Sequence, residues 1–324
     1  MVAGLPANFA GCVCVVLHVP ANAKSVLPRI LSRVGRLEAL HPVDGQALGP
    51  GQILVAPPDR HLLMESGRVR VTRGPREHGY RPSVDALFRS AAQSYGPRVI
   101  GVVLSGTLSD GTVGLQDIKS HGGLAIVQHP ENALYANMPR SAIENVDVDH
   151  ILDAQAIGPL LADLVRTSPP TQPPIDHEGL QVMGMHMERG NNDAELHGAK
   201  PSAFVCPDCQ GTLFEIQRGS LVRYRCRVGH AYTLDSLLDV KSQDLERALW
   251  VALRTLDEKT DLVQELASRA RARGQKRSVE HFTEQAAITA QHASLIREVL
   301  EPAESKDIPS PNGEDTELPG ERSA

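Results

Sequence analysis

The sequence predicts an α/β protein: a mostly parallel sheet with flanking helices, followed by a small zinc ribbon and a C-terminal helical hairpin. Three observations predict it. Two runs, 12–17 (CVCVVL) and 99–104 (VIGVVL), are apolar throughout rather than alternating, as strands buried on both faces of a parallel sheet are. Between such runs, apolar residues recur at helical spacing, as Val84, Leu87, Phe88 and Ala91 do within 83–94. Far downstream, three cysteines and a histidine fall at metal-ligand spacing.

In chain order, residues 1–166 form the first domain. Strand-like runs at 12–17, 53–56, 99–104 and 124–127 alternate with helix-like stretches, the pattern of an α/β unit. The stretch 53–72, with Pro57-Pro58 and Gly67, reads as a small hairpin inserted on an edge. Residues 167–200 begin with Pro169, Pro170, Pro173 and Pro174 and continue rich in Gly, His and Met, which marks a flexible linker. A compact unit at 201–235 follows. In 236–300, Leu245, Leu249, Ala252, Leu256, Val263, Leu266 and Ala270 keep a 4-3 spacing, resumed past Gly274 by Val279, Phe282, Ala286, Ala293, Ile296 and Leu300. This is a helical hairpin whose stripe either buries itself or offers a self-association face. The segment 301–324 sets seven acidic residues against Lys306 and Arg322 and reads as a disordered acidic tail.

Composition excludes several classes. The chain of 324 residues is 41% hydrophobic but only 3% aromatic, so its core is built from Val, Leu, Ile and Ala. No window reaches the ~18 consecutive apolar residues of a membrane span, and no basic segment leads into an apolar run as in a signal peptide. The expectation is a cytoplasmic protein with no membrane insertion. Net charge is −6, and most of the excess sits in the tail. The near-neutral body carries no basic nucleic-acid footprint. Five cysteines, an odd number, do not read as a disulfide framework.

His18 directly follows the first apolar run, and Asp110 lies in the loop 105–111 (SGTLSDG) after the third. In open α/β sheets ligands sit beyond the carboxyl ends of the strands, so both residues occupy the rim where chemistry is done. A carboxylate that accepts from an imidazole N–H fixes its tautomer and supports the imidazolium formed in acyl transfer. A loop containing Gly106 and Gly111 can aim backbone N–H groups at an oxyanion. Composition alone leaves open a structural histidine and an aspartate that only makes a turn.

The stretches VVLHVP at 15–20, LGPGQILVAPPDRHLL at 48–63, RPSVDALFRSAA at 81–92, SGTLSDGTVG at 105–114 and GGLAIVQHPENALYANMPRSAI at 122–143 together resemble the catalytic domain of CheB-type chemotaxis protein-glutamate methylesterases. The resemblance implies a Ser-His-Asp triad that hydrolyses glutamyl methyl esters on methylated chemoreceptors, in some members also deamidating glutamine. It makes His18 the general base, Asp110 its orienting carboxylate and the Thr107 backbone N–H the oxyanion donor. That chemistry needs no cofactor. Two departures stand out. Thr107 and Leu108 replace the Met and Gly usual in the family loop, and the glycine turn that carries the nucleophilic serine would fall ahead of Met1. Ser25, Ser105 and Ser109 are not at a strand-to-helix elbow. The chain therefore presents base and orienter without a nucleophile: the favoured expectation is that the functional protein begins upstream of Met1 and carries the serine there, and the alternative is a catalytically inactive signalling adaptor. It also lacks a phosphorylatable receiver unit, so gating by phosphorylation would need a separate protein.

Cys206-Pro-Asp-Cys209 is a C-x₂-C knuckle, sixteen residues precede Cys226, and Cys226 and His230 form a C-x₃-H pair. Four such ligands in two turn-bound pairs suit a closed, tetrahedral, structural Zn²⁺, and a unit this small needs such a staple. Arg218, Arg223, Arg225 and Arg227 make the ribbon locally basic, but protein contact is the stronger expectation than nucleic acid. The ribbon and LERALWVALRTLDEK after it resemble an extension found on some CheB-type proteins.

Overall fold

Successive side chains along the central strands of the N-terminal sheet enter two different cores. In the computed structural model, which describes residues 1–167, 196–218 and 221–301, Ile53 and Val55 of β3 (Gln52–Val55) join one hydrophobic cluster while Leu54 joins the other. In β7 (Leu124–Gln128), Ile126 and its neighbours Ala125 and Val127 divide in the same way. This is the period-2 consequence of a sheet covered on both faces. On one face lie α2 (Val84–Tyr95), α3 (Thr112–Ser120) and α4 (Asn137–Asn145); on the other lie α1 (Leu27–Val34) and α5 (Ala154–Thr167).

The sheet is in two parallel halves. β1 (Val13–Val15) and β2 (Glu38–Leu40) flank β3, and β6 (Ile100–Val103) and β8 (His150–Leu152) flank β7. Among the described residues, β1 and β6 each pair on one side only, and their open edges line a cleft of about 520 Å³ that reaches Ser105 and Met138. This corrects the expectation that the first and third apolar runs are buried on both faces: β1 is half-buried throughout and Leu17 is exposed, because no described strand covers that edge. The edge hairpin also begins later than the sequence suggests. β3 is a paired, buried sheet strand, and only β4 (His61–Glu65) and β5 (Arg68–Thr72), past Pro57-Pro58, form the hairpin.

Residues 1–241 form one compact unit and those from Ser242 onward another. The first includes a four-stranded antiparallel ribbon of β9 (Lys200–Val205), β10 (Thr212–Arg218), β11 (Leu221–Cys226) and β12 (Ala231–Thr233), in the order β12-β11-β10-β9. α6 (Leu234–Ala272) leaves the ribbon through a capping box in which Thr233 N–H donates to Ser236 Oγ and Ser236 N–H to Thr233 Oγ1. Gly274, at φ +71°, makes the turn into α7 (Lys276–Leu300), and Arg297 pairs with Asp257 across the two helices at 2.6 Å. The buried stripe of α6 keeps Val263 and Ala270 as expected but takes Leu253 and Ala267 beside the expected Ala252 and Leu266, and Leu245 and Leu266 are exposed. A helix of 3.6 residues per turn drifts against a strict 3.5 repeat, so neighbouring positions come to share the buried side. The expected linker from Ser168 to Glu195 and the acidic tail beyond Glu301 lie outside the described residues.

Candidate active site and metal centre

The Asp110 carboxylate is almost fully buried, so every contact it makes has to be a partner. The loop 105–111 drops it onto the N-terminus of α2. There Oδ2 accepts from Val84 N–H at 2.7 Å, and Oδ1 accepts from Asp85 N–H at 2.9 Å and Ser83 Oγ–H at 2.9 Å. Unpaired helix N–H groups and the helix dipole both favour an anion at this point. The exchange is mutual: Asp85, in the first turn of α2, accepts from Gly111 N–H at 3.0 Å and Gly114 N–H at 2.7 Å at the start of α3. Each carboxylate caps the other's helix. Burial pushes Asp110 toward the neutral form. The hydrogen bond from His18, the charges of His78 and His18 and the Asp85 N–H outweigh it, holding the carboxyl well below the usual range.

His18 meets this carboxylate from β1, its Nε2 lying 2.7 Å from Asp110 Oδ2. An ionised Asp110 can only accept, so His18 Nε2 carries a hydrogen, and in the neutral imidazole Nδ1 keeps its lone pair. The imidazole stacks on Tyr80 with ring centroids 4.4 Å apart and planes 8° from parallel. One face and one edge are thereby fixed, while about a fifth of the side chain stays accessible. The sequence-derived pair thus converges on one rim of the sheet.

Thr107 lies on the same loop, exposed, and its N–H meets no acceptor among the described residues. The neighbouring Gly106 is pinned twice, donating to Tyr135 C=O and accepting from Met138 N–H, both at 3.0 Å. A Cβ on Gly106 would press into the Met138 side chain, so a larger residue here would have to displace that thioether. Leu108, where the family pattern has glycine, adopts φ +61°, a left-handed conformation costing a side-chain-bearing residue about 1–2 kcal/mol. None of the described serines bonds to His18. Ser105 Oγ accepts from Tyr135 N–H, and Ser109 Oγ shares a hydrogen with Thr233 Oγ1.

Around this pair stand residues to which sequence reasoning gave no role. His78 is fully buried, its Nε2 2.8 Å from Asp85 Oδ2 and 3.8 Å from Asp110 Oδ1, its Nδ1 3.1 Å from Ser236 Oγ. Burial opposes its charge, but the Asp85 hydrogen bond and the two carboxylates raise its pKa. A signal was available: Ser83-Val84-Asp85 sits inside RPSVDALF, where an acid in a first helical turn is the expected capping chemistry. The stacking of Tyr80 on His18 had no sequence signal, since it arises only from the fold.

Cys206, Cys209, Cys226 and His230 converge, their ligand atoms all within 4.8 Å of one another. His230 Nδ1 is 3.6 Å from Cys206 Sγ and 3.5 Å from Cys226 Sγ, and Cys209 Sγ is 3.6 Å from Cys226 Sγ. A tetrahedron with bonds of about 2.0–2.3 Å has edges of about 3.3–3.8 Å, and these three distances fall within that range, as a zinc-sized ion requires. The Cys206 thiol, hydrogen-bonded to Cys226, lowers the latter to about 7. Of the ribbon's arginines, Arg223 and Arg225 are buried rather than offered to solvent, and Arg223 pairs with Glu77 of the first domain.

Residues 1–161 match the family model described as CheB methylesterase. A Leptospira interrogans protein, provisionally named protein-glutamate methylesterase/protein-glutamine glutaminase, is 38% identical over 161 residues, covering 49% of this chain and 83% of its own. The protein-glutamate methylesterase/protein-glutamine glutaminase of Moorella thermoacetica is 37% identical over 166 residues, spanning 50% of this chain and 39% of the relative. The crystal structure of the Thermotoga maritima CheB methylesterase catalytic domain is 32% identical, with a TM-score of 0.49, over 51% of this chain and 89% of that one. The α/β unit brings a histidine and a carboxylate together beyond its strand ends, the rim where ligands sit in such folds. By its first half, this chain belongs to the CheB methylesterase family.

Asp110 supplies a pH test. Its carboxyl is depressed in the fold, so it stabilises the protein above about pH 4, where carboxylates of the unfolded chain ionise, and that contribution is lost as pH falls toward the folded value. Asp110→Asn is expected to flatten the fall of stability below about pH 4, followed by chemical denaturation. An unaltered pH slope would show that the carboxylate is not held as described.

Proposed function

We propose that this protein is a protein-glutamate methylesterase acting in the cytoplasm on γ-glutamyl methyl esters of a methylated chemoreceptor or similar receptor protein, with glutamine deamidation as the parallel acyl transfer. The 2.7 Å contact between His18 and Asp110 carries the reading. In it, His18 Nδ1 takes the proton of an attacking serine and Asp110 holds the imidazolium. The Thr107 N–H receives the oxyanion, and the proton passes on to the leaving methoxide to give methanol. Water then repeats the sequence on the acyl-enzyme. The open edges of β1 and β6 support seating of a further, serine-bearing strand in the cleft beside Ser105.

Methanol release from methylated receptor is expected from a longer gene product that supplies such a strand. His18→Ala in that protein is expected to lower the rate by on the order of 10³-fold or more. A loss under about tenfold would remove His18 as the base, and no release from the longer protein would favour the adaptor that uses the same cleft.

The ribbon is proposed to hold one structural Zn²⁺ through Cys206, Cys209, Cys226 and His230, as the convergence of their ligand atoms within 4.8 Å supports. Its buried arginines favour protein contact over nucleic acid. Exposed Leu245, Trp250, Val251 and Leu262 support self-association through the helical hairpin. The purified chain is expected to contain about one zinc per molecule by elemental analysis, lost in Cys226→Ser; retention of the metal in that variant would contradict the ligand set.

A further inference from the structure

The ribbon's hydrogen bonds into the first domain are concentrated on the segments that hold His18 and Asp110. β12 begins at Ala231, next to the ligand His230, and forms a parallel bridge with Glu77: His78 N–H donates to Ala231 C=O at 2.7 Å and Ala231 N–H to Arg76 C=O at 3.3 Å. On the other side of the knuckle, Asp208, between two cysteine ligands, accepts from Tyr232 O–H at 2.6 Å and meets Arg76 at 3.4 Å. Buried Arg223 of β11 joins Arg89 on buried Glu77. β11, β12 and the knuckle residue Asp208 are therefore each tied to the strap 76–80 or to the Glu77 within it.

That strap ends in a two-residue turn whose central residues, His78 and Gly79, have φ +56° and +80°, closed by Glu77 and Tyr80 bonding to each other at 3.2 and 2.9 Å. Positive φ at both centres is the geometry of a tight hairpin turn that suits glycine and strains histidine. The strain is held by burial: His78 is locked between Asp85 and Ser236, and Val240 of α6 closes on Gly79. The turn delivers Tyr80 against the His18 ring and His78 against the Asp85–Asp110 pair. The α6 capping box grips the second arm as well, through Thr233 Oγ1 and Ser109 Oγ at 2.8 Å, one residue before Asp110.

We propose that the ribbon's metal centre is a positioning device for the His18–Asp110 pair, acting through the strap 76–80 and the Thr233–Ser236 cap. The metal fixes 226–231; the bridge from Ala231 fixes the strained turn; the turn sets Tyr80, and Tyr80 sets the plane of the His18 imidazole. Loss of the metal releases the turn and with it the stack. Tyr80, His78, Thr233 and Ser236 are positioning residues. The device would make the esterase sensitive to zinc supply or to thiol oxidation of the knuckle. Its meaning for turnover rests on the esterase reading; the coupling itself does not.

The full chain, loaded with zinc, tests it by NMR. The face-to-face stack imposes an upfield ring-current shift on the His18 ring protons, and Tyr80→Leu defines the value without it. Removing zinc with a chelator is expected to bring the His18 signals to the Tyr80→Leu position while the amide signals of 124–152, outside both arms, stay in place. Thr233→Val is expected to move them the same way with zinc still bound, and Thr233→Ser to restore them. His18 signals that stay put after zinc removal, or after Thr233→Val, would overturn the coupling, as would a chain that binds no zinc. A zinc-responsive His18 in a protein that releases no methanol would leave the coupling standing and remove only the esterase reading.

Discussion

A carboxylate removed from water has to replace its hydration shell with fixed donors, and Asp110 does so at a helix N-terminus, where donors come free. The N-terminus of α2 supplies two backbone N–H groups and a serine hydroxyl, and only then is one oxygen shared with His18. The helix cannot serve as this nest unless α2 and α3 are held in register, which Asp85 achieves by capping α3 in return. Fold and site therefore depend on the same exchange of caps. The acid that orients the base is also a structural strut, and this keeps it ionised and immobile.

The ribbon changes what the second half of the chain is for. Its basic residues look like a surface for an acidic partner, yet the two most deeply buried arginines are turned inward, where Glu77 draws Arg223 into the first domain. A buried ion pair of this kind is poor evidence for stability, because desolvation offsets the attraction. It is better suited to fixing one arrangement among several. Here the arrangement fixed is that of the turn carrying His78 and Tyr80, so ribbon and esterase frame behave as one unit.

Much of this was legible in the sequence. The sheet runs, the helix at Val84–Tyr95, the turn at Gly274 and the approach of His18 to Asp110 each had a local or motif signal. The convergence of Cys206, Cys209, Cys226 and His230 was legible because two short spacings fix them to two turns. The open edges of β1 and β6 were not, since an apolar run reports burial only when neighbours are present to bury it. Short β2 and β8 left no periodic trace, being three residues each. The roles of His78, Tyr80 and Ser236 were invisible for another reason. They are made by contacts across as many as 158 positions of sequence, and no local pattern encodes a docking of that range.

The central claim is that His18 and Asp110 act as a single catalytic unit. A double-mutant cycle on methanol release, in a longer protein that supplies the proposed serine-bearing strand, tests it most directly. If the carboxylate works only through the imidazole, Asp110→Asn combined with His18→Ala is expected to be no slower than His18→Ala alone. Rate losses that simply multiply would mean that the two side chains contribute independently, and the pairing seen at 2.7 Å would be structural rather than catalytic.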